Sequence, residues 1–195
     1  MKFEIHLLFL FALLFSCSSE KSSVKYYGLV DLRNTSRIVK IDPIEFNTFD
    51  EFVDRVDQVR CNDSIPVVGI LDDTKEILIG LANPCWGNSG CIHIKRRNVL
   101  KIKDEKIKLN NDVSIDSLEY YISRHYNNRG DSFVFSQSPQ KAIISISYEQ
   151  KDISGLRTII QDIYKYHSAL NLEWPLYLSL DKQIPSPAPI VNFEG

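Results

Sequence analysis

The residues whose types and spacing best suit chemistry are Cys85, Cys91 and His93, which lie in one short segment of the chain. Thiolates and imidazole are ligands that zinc prefers, but the segment lacks a Cys-x-x-Cys pair and a fourth ligand. We therefore expect no metal. Cys91 and His93 would share one face of a strand and would suit a Cys/His hydrolase or transferase, yet no nearby acid could orient the imidazole. An enzyme of that kind remains an alternative, and we expect no catalytic residues and no cofactor.

The same cysteines have a structural interpretation. Cys85 and Cys91 flank the sequence Trp-Gly-Asn-Ser-Gly, a flexible stretch that could close easily. We predict a disulfide between Cys85 and Cys91, with Cys61 as the competing partner for Cys85.

The other titratable residues favour structural roles. His125 and His167 lie on predicted helices, and no Ser or Cys stands in a Gly-x-Ser-x-Gly nucleophile elbow. Asp50, Asp54 and Asp57 recur along one side of a predicted helix, opposite its apolar residues. We interpret these carboxylates as a solvated face rather than a metal patch.

Four residues are candidates for binding a partner. Trp86 lies between Cys85 and Cys91, where an aromatic ring could anchor a protein or stack on a sugar. Lys95, Arg96 and Arg97 are three adjacent cations that could contact anionic phospholipid or a cell-wall polymer.

The N-terminus predicts export. Residues 1–16 contain a basic Lys2 followed by an apolar run from Leu7 to Phe15. That run is too short for a spanning helix, which needs about 20 apolar residues. The order of basic, apolar and small residues is typical of a signal peptide.

The residues around Cys17 predict a lipid anchor. Leu14-Phe15-Ser16-Cys17 resembles the bacterial lipobox, although Phe15 is bulkier than its usual occupant. This resemblance implies cleavage before Cys17 and acylation, for instance by palmitate, so that residues 17–23 form a lipidated tether on the cell envelope. Several acyl chains together give stable membrane attachment. Ser18 favours the outer membrane over the inner one, with the protein facing the periplasm or the cell surface.

The composition predicts a folded body and argues against one class of partner. Of the 195 residues, 44% are hydrophobic and 25% are charged, as in ordinary globular domains. A net charge of −2 gives no basic field that would attract nucleic acid. We therefore expect no nucleic-acid binding.

Hydrophobic periodicity predicts strands and helices in alternation. Thr48-Phe49-Asp50-Glu51 is a capping box, and apolar residues follow it at helical spacing. Two hairpins are expected, one with a loop over 72–75 and one turning at Asp104 and Glu105. The predicted strands cover 24–32, 37–41, 65–71, 76–82, 91–94, 98–109, 141–147 and 175–180, and the predicted helices begin at Phe49, Ile115 and Ile153.

These elements predict an α+β fold in which about three helices pack on a mixed or antiparallel sheet. We expect one compact body. An alternative is two similar halves, because a strand, a turn and a capped helix occur at 37–53 and again at 106–118. We divide the mature chain into an N-terminal part at 24–96, a C-terminal part at 97–180 and a Pro-rich tail at 181–195.

The C-terminal part resembles the periplasmic domain of the ExbD/TolR biopolymer-transport family. The resemblance lies in Arg97–Leu100, in Ile115–Leu118 and in Ser138–Ser145, followed by a strand and a long helix in the family's order. It implies an extracytoplasmic module that dimerises and engages cell-wall polymer or energy-transducing partners. Members of the family also carry a transmembrane helix with an acidic residue, which has no counterpart in this chain.

The sequence thus predicts a non-catalytic envelope lipoprotein that binds a protein partner or peptidoglycan. We expect it to be accessory to a Ton/Tol-type system and to form a homodimer. The alternatives are an unrelated interaction lipoprotein, such as an immunity or adhesion factor, and the Cys/His enzyme. Neighbouring genes for ExbB-like and TonB-like proteins would favour the first interpretation.

Overall fold

The computed structural model describes residues 24–28, 37–85, 94–149 and 153–182. Within these ranges the protein has an α+β fold with three α-helices and two mixed sheets of four and five strands. The predicted fold class is confirmed, although the strands form two sheets where the sequence suggested one. The predicted signal peptide, tether and Pro-rich tail lie outside the described residues.

The first sheet has the strand order β1-β4-β3-β2. Its strands are β1 (Lys25–Tyr27), β2 (Ile38–Lys40), β3 (Ile65–Asp72) and β4 (Lys75–Gly80). β3 and β4 are antiparallel, and the outer strands β1 and β2 run parallel to their neighbours. The turn between β3 and β4 has two residues instead of the expected four, because Asp72 pairs with Lys75 and Asp73 adopts a positive φ of 53°.

Helix α1 (Phe49–Cys61) connects β2 to β3 and forms where the capping box predicted it. The Thr48 hydroxyl accepts a hydrogen bond from the Glu51 amide at 3.2 Å, and the Glu51 carboxylate accepts one from the Asn47 amide at 3.1 Å. The apolar side of the helix is buried and packs on β3. Its buried residues are Phe49, Phe52, Val53, Val56 and Val59.

The second sheet has the strand order β7-β6-β5-β8-β9. Its strands are β5 (Val99–Lys103), β6 (Lys106–Lys108), β7 (Asp112–Ser114), β8 (Ile143–Ser147) and β9 (Tyr177–Leu180). Strands β5, β8 and β9 are parallel, and β6 and β7 extend the sheet as antiparallel strands. The hairpin turns at Asp104 and Glu105, as predicted, and both residues have positive φ.

Helices α2 (Leu118–Asn127) and α3 (Leu156–Ala169) pack against each other, and α3 also contacts β3 of the first sheet. A short 3-10 helix at Ile115–Ser117, capped by the Ser114 hydroxyl, leads into α2. One continuous apolar core includes residues of both sheets and all three helices. The sheets differ in strand number and order, so the similar segments at 37–53 and 106–118 are set in different topologies.

The two sheets meet where β4 continues towards β9. Leu81 forms a parallel bridge with Leu178, and the Ala82 amide donates to the Leu178 carbonyl at 2.7 Å. The buried Asn83 side chain makes the two hydrogen bonds that a neighbouring strand would make with Leu180. It donates to the Leu180 carbonyl at 3.0 Å and accepts from the Leu180 amide at 2.9 Å. This junction fixes the chain just before Cys85.

The structure pairs Cys85 with Cys61, so the predicted pairing of Cys85 with Cys91 is wrong. Cys61 ends α1, and the junction with β9 brings Cys85 beside it with a Cα–Cα distance of 5.2 Å, within the range for a disulfide. Closing the 24-residue separation costs only about 1 kcal/mol more than closing the shorter Cys85 to Cys91 segment. The partner of Cys85 is therefore decided by which cysteine the fold places beside it and not by which cysteine is nearer in sequence. Cys91 lies outside the described residues.

Candidate functional site

The predicted basic residues lie at the entrance to β5. Arg96–Asn98 form one turn of 3-10 helix, and Lys95 precedes it. Lys95 and Arg96 are exposed, Arg97 is half-buried, and Asn98 is buried. The other predicted binding residue, Trp86, lies outside the described residues, as does His93.

A loop at residues 128–138 stands next to this basic segment and is held by Asn128. The buried Asn128 Nδ2 lies within hydrogen-bond distance of the carbonyl oxygens of Ser132 (2.9 Å), Phe135 (3.2 Å) and Ser136 (2.8 Å). Its Oδ1 accepts a hydrogen bond from the Ser132 amide at 2.9 Å. One side chain thus satisfies several backbone groups and fixes the loop from within.

The far end of this loop is fixed to the basic segment by a second buried network. Asn98 Oδ1 accepts hydrogen bonds from the Ser136 hydroxyl at 3.3 Å and from the Gln137 amide at 3.2 Å. His125 joins both sides, because its Nδ1 accepts from the Ser136 amide at 3.3 Å and its Nε2 donates to the Asn98 carbonyl at 3.2 Å. These contacts define a single neutral tautomer of His125.

Burial stabilises that neutral form. The His125 side chain is only 1% exposed, and desolvation lowers its pKa from 6.5 to about 4, against the weaker opposing effect of backbone carbonyl groups. A histidine that is neutral at physiological pH and fully engaged with the backbone is a structural residue. The sequence interpretation of His125 is confirmed on this point.

The fixed loop presents an apolar tip to solvent. Phe133 is 86% exposed and Val134 is 43% exposed. The next residue, Phe135, is buried. The Arg97 guanidinium lies 5.6 Å from the centroid of the Phe133 ring, within the range of a cation–π contact. Phe133, Val134, Lys95, Arg96 and Arg97 together form what we call the basic–aromatic surface.

A cleft of about 270 Å³ adjoins this surface and shares Lys95 with it. It is lined by Ile94, Lys95, Asn98, Gln137, Lys141 and Ile143. The Gln137 Oε1 atom is buried and has no hydrogen-bond partner among the described residues. The cleft therefore combines two lysines and two isoleucines with Gln137, a wall residue whose Oε1 is buried and lacks a donor.

The second buried histidine belongs to the core. His167 Nδ1 lies 2.6 Å from the Tyr27 hydroxyl, and the His167 ring makes edge contacts with Tyr27 and Tyr126. Burial lowers the pKa of His167 to about 4 and raises the pKa values of both tyrosines. This cluster joins β1, α2 and α3. His167 is buried in the core as part of the cluster, but its Nε2 has no hydrogen-bond partner among the described residues.

The acidic face of α1 is solvated at two of its three carboxylates. Asp50 and Asp54 are exposed, and Asp54 forms an ion pair with Lys182. Asp57 is half-buried and accepts a hydrogen bond from Asn83 at 2.9 Å, and burial raises its pKa. Within the described ranges, no three His, Cys, Asp or Glu side chains come together as a metal site, and Cys85 is engaged in its disulfide.

Sequence analysis missed the loop and the side chains that hold it. Phe133, Val134 and Phe135 follow Asn128-Arg129-Gly130-Asp131-Ser132, so apolar residues inside a turn-rich segment were the available signal. Asn98 and Asn128 carry no such signal, since nothing local distinguishes a buried asparagine from an exposed one.

Comparisons with known proteins give no match: no protein-family model matches the chain, and no curated protein or solved structure is significantly similar to it. No helix in the described ranges has both the length and the apolar character needed to cross a bilayer.

Proposed function

We propose that this protein is a lipid-anchored lipoprotein of the bacterial cell envelope, attached through Cys17, with a binding role. It docks a protein partner or cell-wall polymer through the basic–aromatic surface and serves as an accessory to a Ton/Tol-type transport system. The anchor rests on the signal-peptide pattern and the lipobox-like residues, and the transport context rests on the family resemblance.

The observation that carries the binding role is the exposed Phe133 on a loop that buried side chains hold by hydrogen bonds. An aromatic ring that is 86% exposed contributes little to the core, yet Asn128 and Asn98 use buried side chains to hold its loop in one conformation. Preorganised aromatic and arginine side chains are the residues that most often dominate binding energy at interfaces.

The family resemblance falls on the same region. Its segments Arg97–Leu100 and Ser138–Ser145 lie side by side, because Val99 of β5 pairs with Ile143 of β8. Asn98 and Lys141, one from each segment, line the cleft next to the basic–aromatic surface.

Photo-crosslinking in intact cells tests the binding role. A p-benzoylphenylalanine at position 133 should give a discrete adduct with an envelope protein or peptidoglycan, and the adduct should weaken in the Arg97→Gln background. The matched control is the same substitution at Ile44, which is 81% exposed in the other half of the chain. Equal adducts at both positions, or adducts at neither, would contradict the proposal.

The anchor has its own test. Cys17→Ala should abolish incorporation of labelled palmitate and move the protein from the membrane fraction to the soluble fraction. A Cys17→Ala protein that remained lipidated and membrane-bound would refute the anchor without bearing on Phe133.

A further inference from the structure

We propose that the cleft beside the basic–aromatic surface binds the free carboxyl terminus of a peptide. This inference rests on the proposed binding role and specifies the chemistry of the ligand. The cleft has a volume of about 270 Å³, enough for the last one or two residues of a chain.

The positive charge of the cleft favours an anionic ligand. Lys95 and Lys141 both line it, and neither forms an ion pair with any residue in the described ranges. Their ammonium groups are donors without acceptor capacity, so a carboxylate is a suitable partner for them.

The buried Gln137 oxygen restricts the anion further. A buried acceptor without a donor is costly, and Gln137 Oε1 has no partner in the described part of the chain. A fatty-acid carboxylate or a phosphodiester brings only acceptors at neutral pH. Inorganic phosphate brings a hydroxyl donor but no apolar group for the isoleucine walls of the cleft. A peptide carboxyl terminus brings an amide N–H next to its carboxylate, and this N–H would supply the missing donor once the Gln137 side chain turns its buried Oε1 into the cleft.

The remaining walls suit a small apolar side chain. Ile94 and Ile143 line the cleft beside the polar groups, and Ile94 is 45% exposed. Burying a methyl or similar group against them would add apolar contact without another charge. Carboxylate, amide N–H and small side chain together describe a terminal residue such as alanine.

Fluorescence anisotropy with the full chain in detergent tests this assignment. The probe is a labelled Gly-Ala-Ala peptide as the free acid, as the carboxyl amide, and as the ester analogue in which oxygen replaces the last N–H. We expect the amide and the ester each to bind about tenfold more weakly than the free acid, since each loses one hydrogen bond.

Variants assign each loss to its residue. Gln137→Leu should abolish the difference between the free acid and the ester, and Lys141→Gln should weaken the free acid but leave the carboxyl amide unchanged. Lys75→Gln, at an exposed lysine of β4, is the matched control and should change nothing. A free acid that binds no better than its amide, or a Gln137→Leu protein that still discriminates against the ester, would overturn the proposal.

Peptides ending in L-alanine and D-alanine distinguish the source of the ligand. Tighter binding of the L form supports a protein terminus, and tighter binding of the D form supports a cell-wall stem peptide. If peptide binding fails while the crosslink at position 133 persists, this inference falls and the proposed function stands.

Discussion

Acidification from pH 7 to pH 5 should destabilise this fold by several kcal/mol through two buried histidines. His125 is 1% exposed and His167 is 2% exposed, and burial lowers the pKa of each from 6.5 to about 4. In the unfolded chain both side chains return to their ordinary pKa. The unfolded state therefore binds more protons than the folded state between about pH 6.5 and pH 4.

The size of the effect follows from proton linkage. The stability that neutral His125 and His167 provide is complete above pH 6.5 and is lost as the pH falls towards 4. At pH 5 each histidine lowers the free energy of unfolding by about 2 kcal/mol, or about 4 kcal/mol together. That loss is a large fraction of the stability of an ordinary domain.

Urea denaturation followed by circular dichroism at pH 5, 6, 7 and 8 measures this loss. His125→Asn lacks the titrating group and should show about half the pH dependence of the natural chain, although its stability at pH 7 is lower. Asp57→Asn is the informative control. Burial raises the pKa of Asp57, so this carboxyl group increases the free energy of unfolding as the pH falls and opposes the effect of the histidines. NMR titration of the imidazole protons reports each pKa directly.

Two results would refute the reasoning. One is a free energy of unfolding that is equal at pH 5 and pH 7 in both the natural chain and Asp57→Asn. The other is a pair of imidazole signals that titrate near 6.5 in the folded protein, since that would mean that burial does not disfavour the charged rings.

Three further predictions concern stability and covalent structure. Cys61→Ser should lower the free energy of unfolding, measured in urea, by about 3–4 kcal/mol because it removes the disulfide. Cys91→Ser should leave that free energy unchanged. Non-reducing peptide mapping that linked Cys85 to Cys91 would contradict this prediction. Asn128→Ala should cost about 2–4 kcal/mol and speed amide exchange across residues 132–136, with Asn127→Ala as a neutral exposed control. Thr48→Ala should cost about 1 kcal/mol by removing the cap of α1, and helix amides that exchange no faster in that variant would contradict it.

The sequence by itself determined the elements. Helix α1 begins at its capping box, the β5–β6 hairpin turns at Asp104 and Glu105, and α3 buries Leu156, Ile159, Ile160 and Ile163 at the spacing that its sequence shows. These features depend on residues a few positions apart, so local patterns suffice to predict them. The α+β class follows from the two hairpins, which place antiparallel strand pairs beside the helices.

Tertiary structure alone decided how the elements divide into two sheets and which cysteines pair. The bridge from Leu81 to Leu178 brings together residues almost a hundred positions apart, and this contact places Cys85 next to Cys61. Loop-closure entropy varies too slowly with length to select a partner, so the partner is the cysteine that the fold brings within reach.

The candidate site was decided in the same way. The basic residues Lys95–Arg97 were visible in the sequence, but Phe133 and Phe135 stand two positions apart, and only the fold exposes one and buries the other. Asn98, Asn128 and His125 became its scaffold because strand β5, helix α2 and the 128–138 loop converge on them. Whether a side chain is buried depends on which distant parts of the chain pack over it. For this physical reason the sequence identified the three cations but not the surface that they form with Phe133 and Val134.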